Sequence, residues 1–183
     1  MKLLFLCTHN RCRSILAEAI TRQVCGTLIE VQSAGAAPAR KVHPLTLEQL
    51  ALHDIPLRGL RSKAWTQLSD YQPDFIITLC DSAAGESCPL GDPNTTRIHW
   101  PLPDPTRLED DYDACWQCFD EVIATLAFRM KRLHEVAQRQ ATLAEVRHNL
   151  QEEASRFVVP TFKTPKRPPL AMPEQWGSMA ASA

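Results

Sequence analysis

Strands alternating with helices predict an α/β domain built on a mostly parallel sheet. Two observations carry this reading. Lys2–Leu6 (KLLFL) and Asp74–Leu79 (DFIITL) are short, unbroken apolar runs, the pattern of strands buried on both faces. Between and beyond them, segments with apolar residues at helical spacing recur, as crossovers between parallel strands require.

The elements follow in order. The first strand ends at Cys7, and Ile15, Leu16, Ala19 and Ile20 then mark a helix from Ser14 to about Val24. Leu28–Gln32 reads as a second strand, before Ser33-Ala34-Gly35. A proline-containing stretch leads to a helix around Leu45–Leu52. The third strand, DFIITL, ends at Cys80, and Arg97–Trp100 is a shorter fourth. Trp116, Phe119, Val122, Ile123 and Leu126 mark a helix from about Tyr112 to Leu133, and another spans Leu143–Ala154. Residues 157–183 hold five of the 14 prolines and end in Gly-Ser-Met-Ala-Ala-Ser-Ala. One domain over 1–156 is therefore expected, with 157–183 an extended or flexible tail.

The chain has 183 residues, enough for one core without disulfide or metal staples. Its 20 Lys+Arg against 21 Asp+Glu give a net charge of −1, so nucleic acid and anionic membranes are not expected partners. No apolar run approaches the roughly 18 residues of a membrane span. The opening residues also lack the long apolar region of a signal peptide, so the expected location is the cytoplasm. There, thiols stay reduced, and seven cysteines point to catalysis, redox chemistry or metal rather than a disulfide frame.

The informative segment is Cys7-Thr8-His9-Asn10-Arg11-Cys12-Arg13-Ser14, between a strand and a helix. Cys-x5-Arg in that setting is an oxyanion loop with a thiol at its centre. Backbone N–H groups at a helix N-terminus favour an anion, and the Arg13 guanidinium can clamp two of its oxygens. The same field is expected to lower the Cys7 pKa. A drop from about 8.5 to about 6 raises the thiolate fraction at pH 7 from about 3% to about 90%. Asn10 tolerates a left-handed backbone, and Ser14 can bond Cys7 or cap the helix. Cys12 reads as a packing residue at the loop's edge.

These residues resemble the low-molecular-weight tyrosine phosphatase family, and more closely its arsenate reductase branch, over roughly residues 1–150. Four segments carry the resemblance: LLFLCTHNRCRS, Ser33-Ala34-Gly35, ITLCDSAAGESCP and HWPLPDPT. The resemblance implies a three-layer domain with a four-stranded parallel sheet in the order 2-1-3-4. It implies that residues 8–14 bind the oxyanion, that Ser33 supports Asn10, and that Asp104 is the proton donor. It also implies a relay in which Cys7 attacks arsenate, Cys80 releases arsenite by forming a Cys7–Cys80 disulfide, and Cys88 takes over Cys80. An external thiol, from thioredoxin or from glutathione and glutaredoxin, would then restore the enzyme. Phosphate and sulfate would compete with arsenate, and a monomer is expected.

Three positions depart from the family pattern. His9 stands where many members have glycine. Arg61-Ser62-Lys63 stands where some reductases place an acidic residue beside bound potassium; an ammonium there would replace the cation, so no metal or bound cofactor is expected. Thr106-Arg107 replaces the aromatics of phosphotyrosine phosphatases. A phosphatase using Cys7, Arg13 and Asp104 remains the alternative, since it needs neither Cys80 nor Cys88.

Simple geometry adds a reason to consider Cys80. Ligands of open α/β sheets bind at the carboxyl ends of strands, where both Cys7 and Cys80 lie. If the two strands are neighbours, the thiols are close. Cys88 is harder to place. In a helix, eight residues separate Cα atoms by about 12 Å, whereas a disulfide needs under about 7 Å. The segment must therefore bend, or else Cys88 is an incidental surface thiol. Cys115 and Cys118 fall within a helical pattern and read as helix-face residues, as Cys25 reads as packing.

Overall fold

The computed structural model describes residues 1–156 other than 87, 93, 94 and 109. Among the described residues, strands and α-helices follow one another as β1 (Lys2–Leu6), α1 (Arg13–Cys25), β2 (Glu30–Ala34), α2 (Pro44–Leu52), β3 (Phe75–Thr78), α3 (Asp81–Gly85), β4 (Thr96–His99), α4 (Tyr112–Gln138) and α5 (Leu143–Glu153). The strands form one parallel sheet in the order β2-β1-β3-β4, the order implied by the resemblance. The tail expected over 157–183 lies outside the described residues.

Alternation along the strands divides the core in two. On one face Leu3, Phe5, Phe75, Ile77 and Ile98 pack with α1, α4 and α5 into the larger cluster. Of the predicted α4 stripe, Phe119, Val122, Ile123 and Leu126 are buried there and continue through Met130 and Leu133, while Trp116 packs against Tyr112. Trp100 is fully buried as a packing residue, its indole N–H donating to the Leu150 carbonyl at 2.8 Å. On the other face Leu4, Leu6 and Ile76 meet Tyr71, Ala83, Leu90, Cys80 and Cys88 in a smaller cluster under α3. Among the described residues no helix is long and apolar enough to cross a membrane.

Two expected elements have other bounds: α4 runs past Leu133 to Gln138, and β2 covers Glu30–Ala34 rather than Leu28–Gln32. The second strand starts at Glu30, not Leu28, because Gly26 ends α1 at φ +54° and Gly26–Leu28 form a 3-10 turn. Ser33 and Ala34 therefore belong to β2, opposite Phe5 and Leu6. This two-residue shift carries Gly35 to the carboxyl edge beside Cys7. Cys80 and Pro101 follow β3 and β4 at that same edge, where a ligand site is expected.

Candidate active site

The loop between β1 and α1 is held from outside by its own carbonyls. The Thr8, His9 and Arg11 carbonyls accept from the N–H groups of Ala37, Ala39 and His43 at 2.9–3.0 Å. A trans peptide whose carbonyl points out points its N–H in, so the N–H groups of His9 and Cys12 face the loop interior. α1 begins directly behind, at Arg13, and adds the positive end of its dipole.

Asn10 is the internal brace. It adopts the left-handed backbone expected of it, at φ +44°, and is fully buried. Its amide donates to Ser14 Oγ and Ser33 Oγ, both at 2.9 Å, and its carbonyl oxygen accepts from the Lys63 N–H at 2.7 Å. Ser14 Oγ in turn lies 2.9 Å from Cys7 Sγ, so Ser14 serves the thiol rather than the helix cap. Ser33 donates onward to Glu18, whose other partners are Arg22 and the Lys63 ammonium, the latter at 3.0 Å. Glu18 and Lys63 are 0% and 2% exposed. The Lys63 ammonium thus occupies the interior behind the loop, paired with Glu18. Burial pulls its pKa down, and Glu18 opposes this.

Gly35 explains why the Ser33-Ala34-Gly35 motif ends in glycine. A Cβ there would stand 2.4 Å from the Thr8 carbonyl oxygen and 2.6 Å from that of Cys7. Both are backbone atoms of the oxyanion loop, which must move if a side chain enters. Gly35→Ala is expected to cost about 2–3 kcal/mol of stability and to weaken phosphate binding at least about tenfold. Urea unfolding and titration calorimetry with inorganic phosphate check both.

Arg13 and Asp104 meet at this edge. Arg13 Nη2 donates to Asp104 Oδ2 at 2.7 Å, and Nη1 to the Leu102 carbonyl at 3.1 Å. Asp104 Oδ1 accepts from the Thr106 hydroxyl at 2.8 Å and its N–H at 3.2 Å, while Arg11 donates to the same hydroxyl at 3.1 Å. Thr106 therefore orients the carboxyl group, where the sequence marked only a missing aromatic. A cavity of about 430 Å³ opens here, with Thr8, His9, Arg11, Arg13, Cys80 and Asp104 in its lining. The His9 side chain sits exposed at its mouth.

The expected lowering of the Cys7 pKa is not found. Burial pushes the thiol up; the Ser14 hydroxyl, the Ser14 backbone and the Arg13 charge pull it down, but less strongly. The donors that the sequence predicted are in place. Cys7 is only 4% exposed, however, and Arg13 is bonded to Asp104, so desolvation prevails.

Cys80 lies at the loop, its Sγ 3.6 Å from Thr8 Oγ1. It also caps α3 by accepting from the Ala83 N–H at 3.4 Å. Cys88 is 4% exposed, in the small cluster that contains Cys7 and Cys80, so it is not a surface thiol. Nor is the 80–88 segment one helix: α3 stops at Gly85 and Glu86 is extended. Cys12 and Cys25 pack into the larger cluster with Cys115 and Cys118. Cys115 Sγ meets the Pro105 carbonyl at 3.3 Å, behind the Asp104 turn. Among the described residues no three His, Cys, Asp or Glu side chains form a metal-holding group. None of the seven cysteines, all among the described residues, is in a disulfide.

Glu18 has one sequence signal, a lone carboxylate within the apolar stretch SILAEAI. Such a group requires a buried partner. Its partner, Lys63, is 45 residues away, beyond the reach of any local pattern.

Comparison with known proteins agrees with this geometry. The sequence pattern of the family "Low molecular weight phosphotyrosine protein phosphatase" matches residues 2–152. An arsenate reductase from Oceanobacillus iheyensis is 31% identical over 127 residues, covering 69% of this chain and 90% of that protein. Among solved structures, the thioredoxin-dependent arsenate reductase of Corynebacterium glutamicum superposes with a TM-score of 0.59 at 29% identity, over 76% of this chain. The chain spans 62% of that protein's length. An arsenate reductase in its phosphate-binding state matches with a TM-score of 0.59 at 25% identity, over 73% of this chain and 96% of its own.

Proposed function

The chain belongs to the low molecular weight phosphotyrosine protein phosphatase family, and we propose that within it this protein is an arsenate reductase working through a cysteine relay. The observation that carries the reading is the second thiol. Cys80 Sγ stands 3.6 Å from the Thr8 hydroxyl, in the loop whose first residue is Cys7. Phosphate ester hydrolysis needs no such group, whereas reduction of arsenic from +5 to +3 needs two electrons, which two thiols supply.

Arsenate binds to the inward N–H groups of the loop and to Arg13, part of whose bonding to Asp104 it takes over. The dianion brings a proton acceptor beside the buried Cys7 thiol. Cys7 Sγ displaces one arsenate oxygen, which leaves as water with a proton from Asp104. Cys80 Sγ then attacks Cys7 Sγ. The electron pair of the sulfur–arsenic bond passes to arsenic, arsenite leaves with three oxygens, and a Cys7–Cys80 disulfide remains. Cys88 attacks Cys80, freeing Cys7 as a thiolate and forming a Cys80–Cys88 disulfide. An external dithiol reduces that bond. Likeness to the C. glutamicum protein supports thioredoxin in this role.

The test is a single turnover of pre-reduced protein with arsenate and no added reductant, followed by disulfide mapping. About one arsenite per chain with a Cys80–Cys88 disulfide is expected. One arsenite with a Cys7–Cys80 disulfide would remove Cys88 from the mechanism, and arsenite only after glutathione is added would remove both Cys80 and Cys88, an external thiol resolving the Cys7–arsenic adduct. No arsenite under either condition, with turnover of p-nitrophenyl phosphate, would replace the reductase reading with phosphatase activity.

A further inference from the structure

We propose that Arg97 is a positioning residue that latches the resolving cysteine, keeping Cys88 buried until Cys80 has been oxidised. This inference rests on the relay above. β4 presents Arg97 and His99 on one face, in register with Ile76 and Thr78 of β3. That is the face α3 covers. Each side chain ties one end of the segment that follows Cys80. His99 Nδ1 lies 2.9 Å from Thr78 Oγ1, and its Nε2 lies 3.2 Å from Asp81 Oδ1, at the first residue of α3. Arg97 Nη2 donates to the Cys88 carbonyl at 2.7 Å and the Leu90 carbonyl at 3.2 Å.

Just past Leu90 the chain turns at Gly91, whose φ of +90° suits glycine and where a Cβ would strike Thr95 at 2.5 Å. That turn lies directly beyond the two carbonyls that Arg97 holds. At the other end, α3 has five residues, and a Cβ on Gly85 would meet nothing within 4 Å. Displacing the Cys88 backbone from its buried position breaks its carbonyl's bond to Arg97.

The ties are released in sequence. The Cys80 sulfur caps α3 through the Ala83 N–H. When that sulfur bonds Cys7, it is drawn toward the loop and the cap is lost. A five-residue helix without its cap unwinds readily. Arg97, bonded to the Cys88 carbonyl and to the thiol, which the Leu90 N–H also holds, is then the charged restraint on the resolving cysteine, and its release sets the rate of thiol–disulfide exchange. The exchange moves no net electrons: the Cys88–Cys80 bond forms as the Cys80–Cys7 bond breaks.

The test uses the full chain, pre-reduced, as wild type, Arg97→Ala and Arg97→Gln. Alkylation by iodoacetamide is followed cysteine by cysteine by mass spectrometry. Rates are compared per thiolate from a pH series, because Arg97 also pulls the Cys88 pKa down; on that basis Cys88 is expected to react about tenfold faster in Arg97→Ala, the scale of one charge-assisted hydrogen bond, and at an intermediate rate in Arg97→Gln, which keeps a donor. Cys25, 2% exposed in the opposite core, reports general loosening and is expected to stay at its wild-type rate. In single turnover with arsenate, all three proteins are expected to release arsenite at one rate, while the Cys80–Cys88 disulfide forms about tenfold sooner in Arg97→Ala. An unchanged Cys88 rate, or Cys25 opening in step with Cys88, would overturn the latch. If the wild type releases no arsenite with or without glutathione, the reductase reading fails, and the alkylation comparison still decides whether Arg97 keeps Cys88 buried.

Discussion

Cys7→Ser is expected to reduce arsenite formation to background, a loss of at least roughly 10⁴-fold, because the nucleophile and one electron donor disappear together. A serine hydroxyl fits the same space and keeps a hydrogen-bond partner for Ser14, which lies 2.9 Å from the sulfur it replaces. The loop is therefore expected to stay intact. Inorganic phosphate should bind within about threefold of wild type by calorimetry, since its N–H donors and Arg13 are untouched. Removal of an actively buried thiolate would change this picture; the resting thiol, pushed up by burial, carries little charge to lose. The decisive measurement is arsenite by single turnover. Residual arsenite above about 1% of wild type would assign the first attack to another of the seven thiols.

The second large effect separates the two chemistries that the loop can support. Cys80→Ser is expected to lower arsenite release without added thiol at least roughly 10³-fold, because the Cys7–arsenic adduct has no intramolecular partner. Hydrolysis of p-nitrophenyl phosphate, to whatever level the wild type shows it, should change less than about threefold. Serine is among the favoured helix caps, so α3 keeps the acceptor that Cys80 Sγ offers to the Ala83 N–H. A folding defect would lower both activities together, whereas loss of the relay lowers one. Equal loss of both would give Cys80 a structural role and withdraw the relay. Full recovery with glutathione would show that an external thiol can stand in for Cys80.

How much of this site was legible in the sequence depends on chain distance. Cys7, Asn10, Arg13 and Ser14 were readable because strand, loop and helix start are contiguous, and local conformation alone brings them together. The left-handed Asn10 is the clearest case. The Glu18–Lys63 pair and the Arg13–Asp104 pair join residues 45 and 91 apart, and their meeting depends on the order of the strands. Arg97 offered only alternation on a short strand, with nothing to name the carbonyls it would hold. The start of β2 is not legible locally because a 3-10 turn intervenes, and only pairing with β1 fixes where strand geometry resumes.

By itself, then, the sequence determined the α/β class, the Cys-x5-Arg loop and the thiol at the end of β3. Each is written in side-chain periodicity or in the demands of one tight turn. Tertiary structure decided the rest: which cation stands behind the loop, that Arg13 faces Asp104, that Cys88 is buried, and that Cys7 keeps its proton more firmly than an exposed thiol. The physical reason is common to all four. Burial and partner choice are set by which segments the parallel sheet lays side by side, and the energy of a charge or a thiol depends on those neighbours rather than on its own stretch of chain.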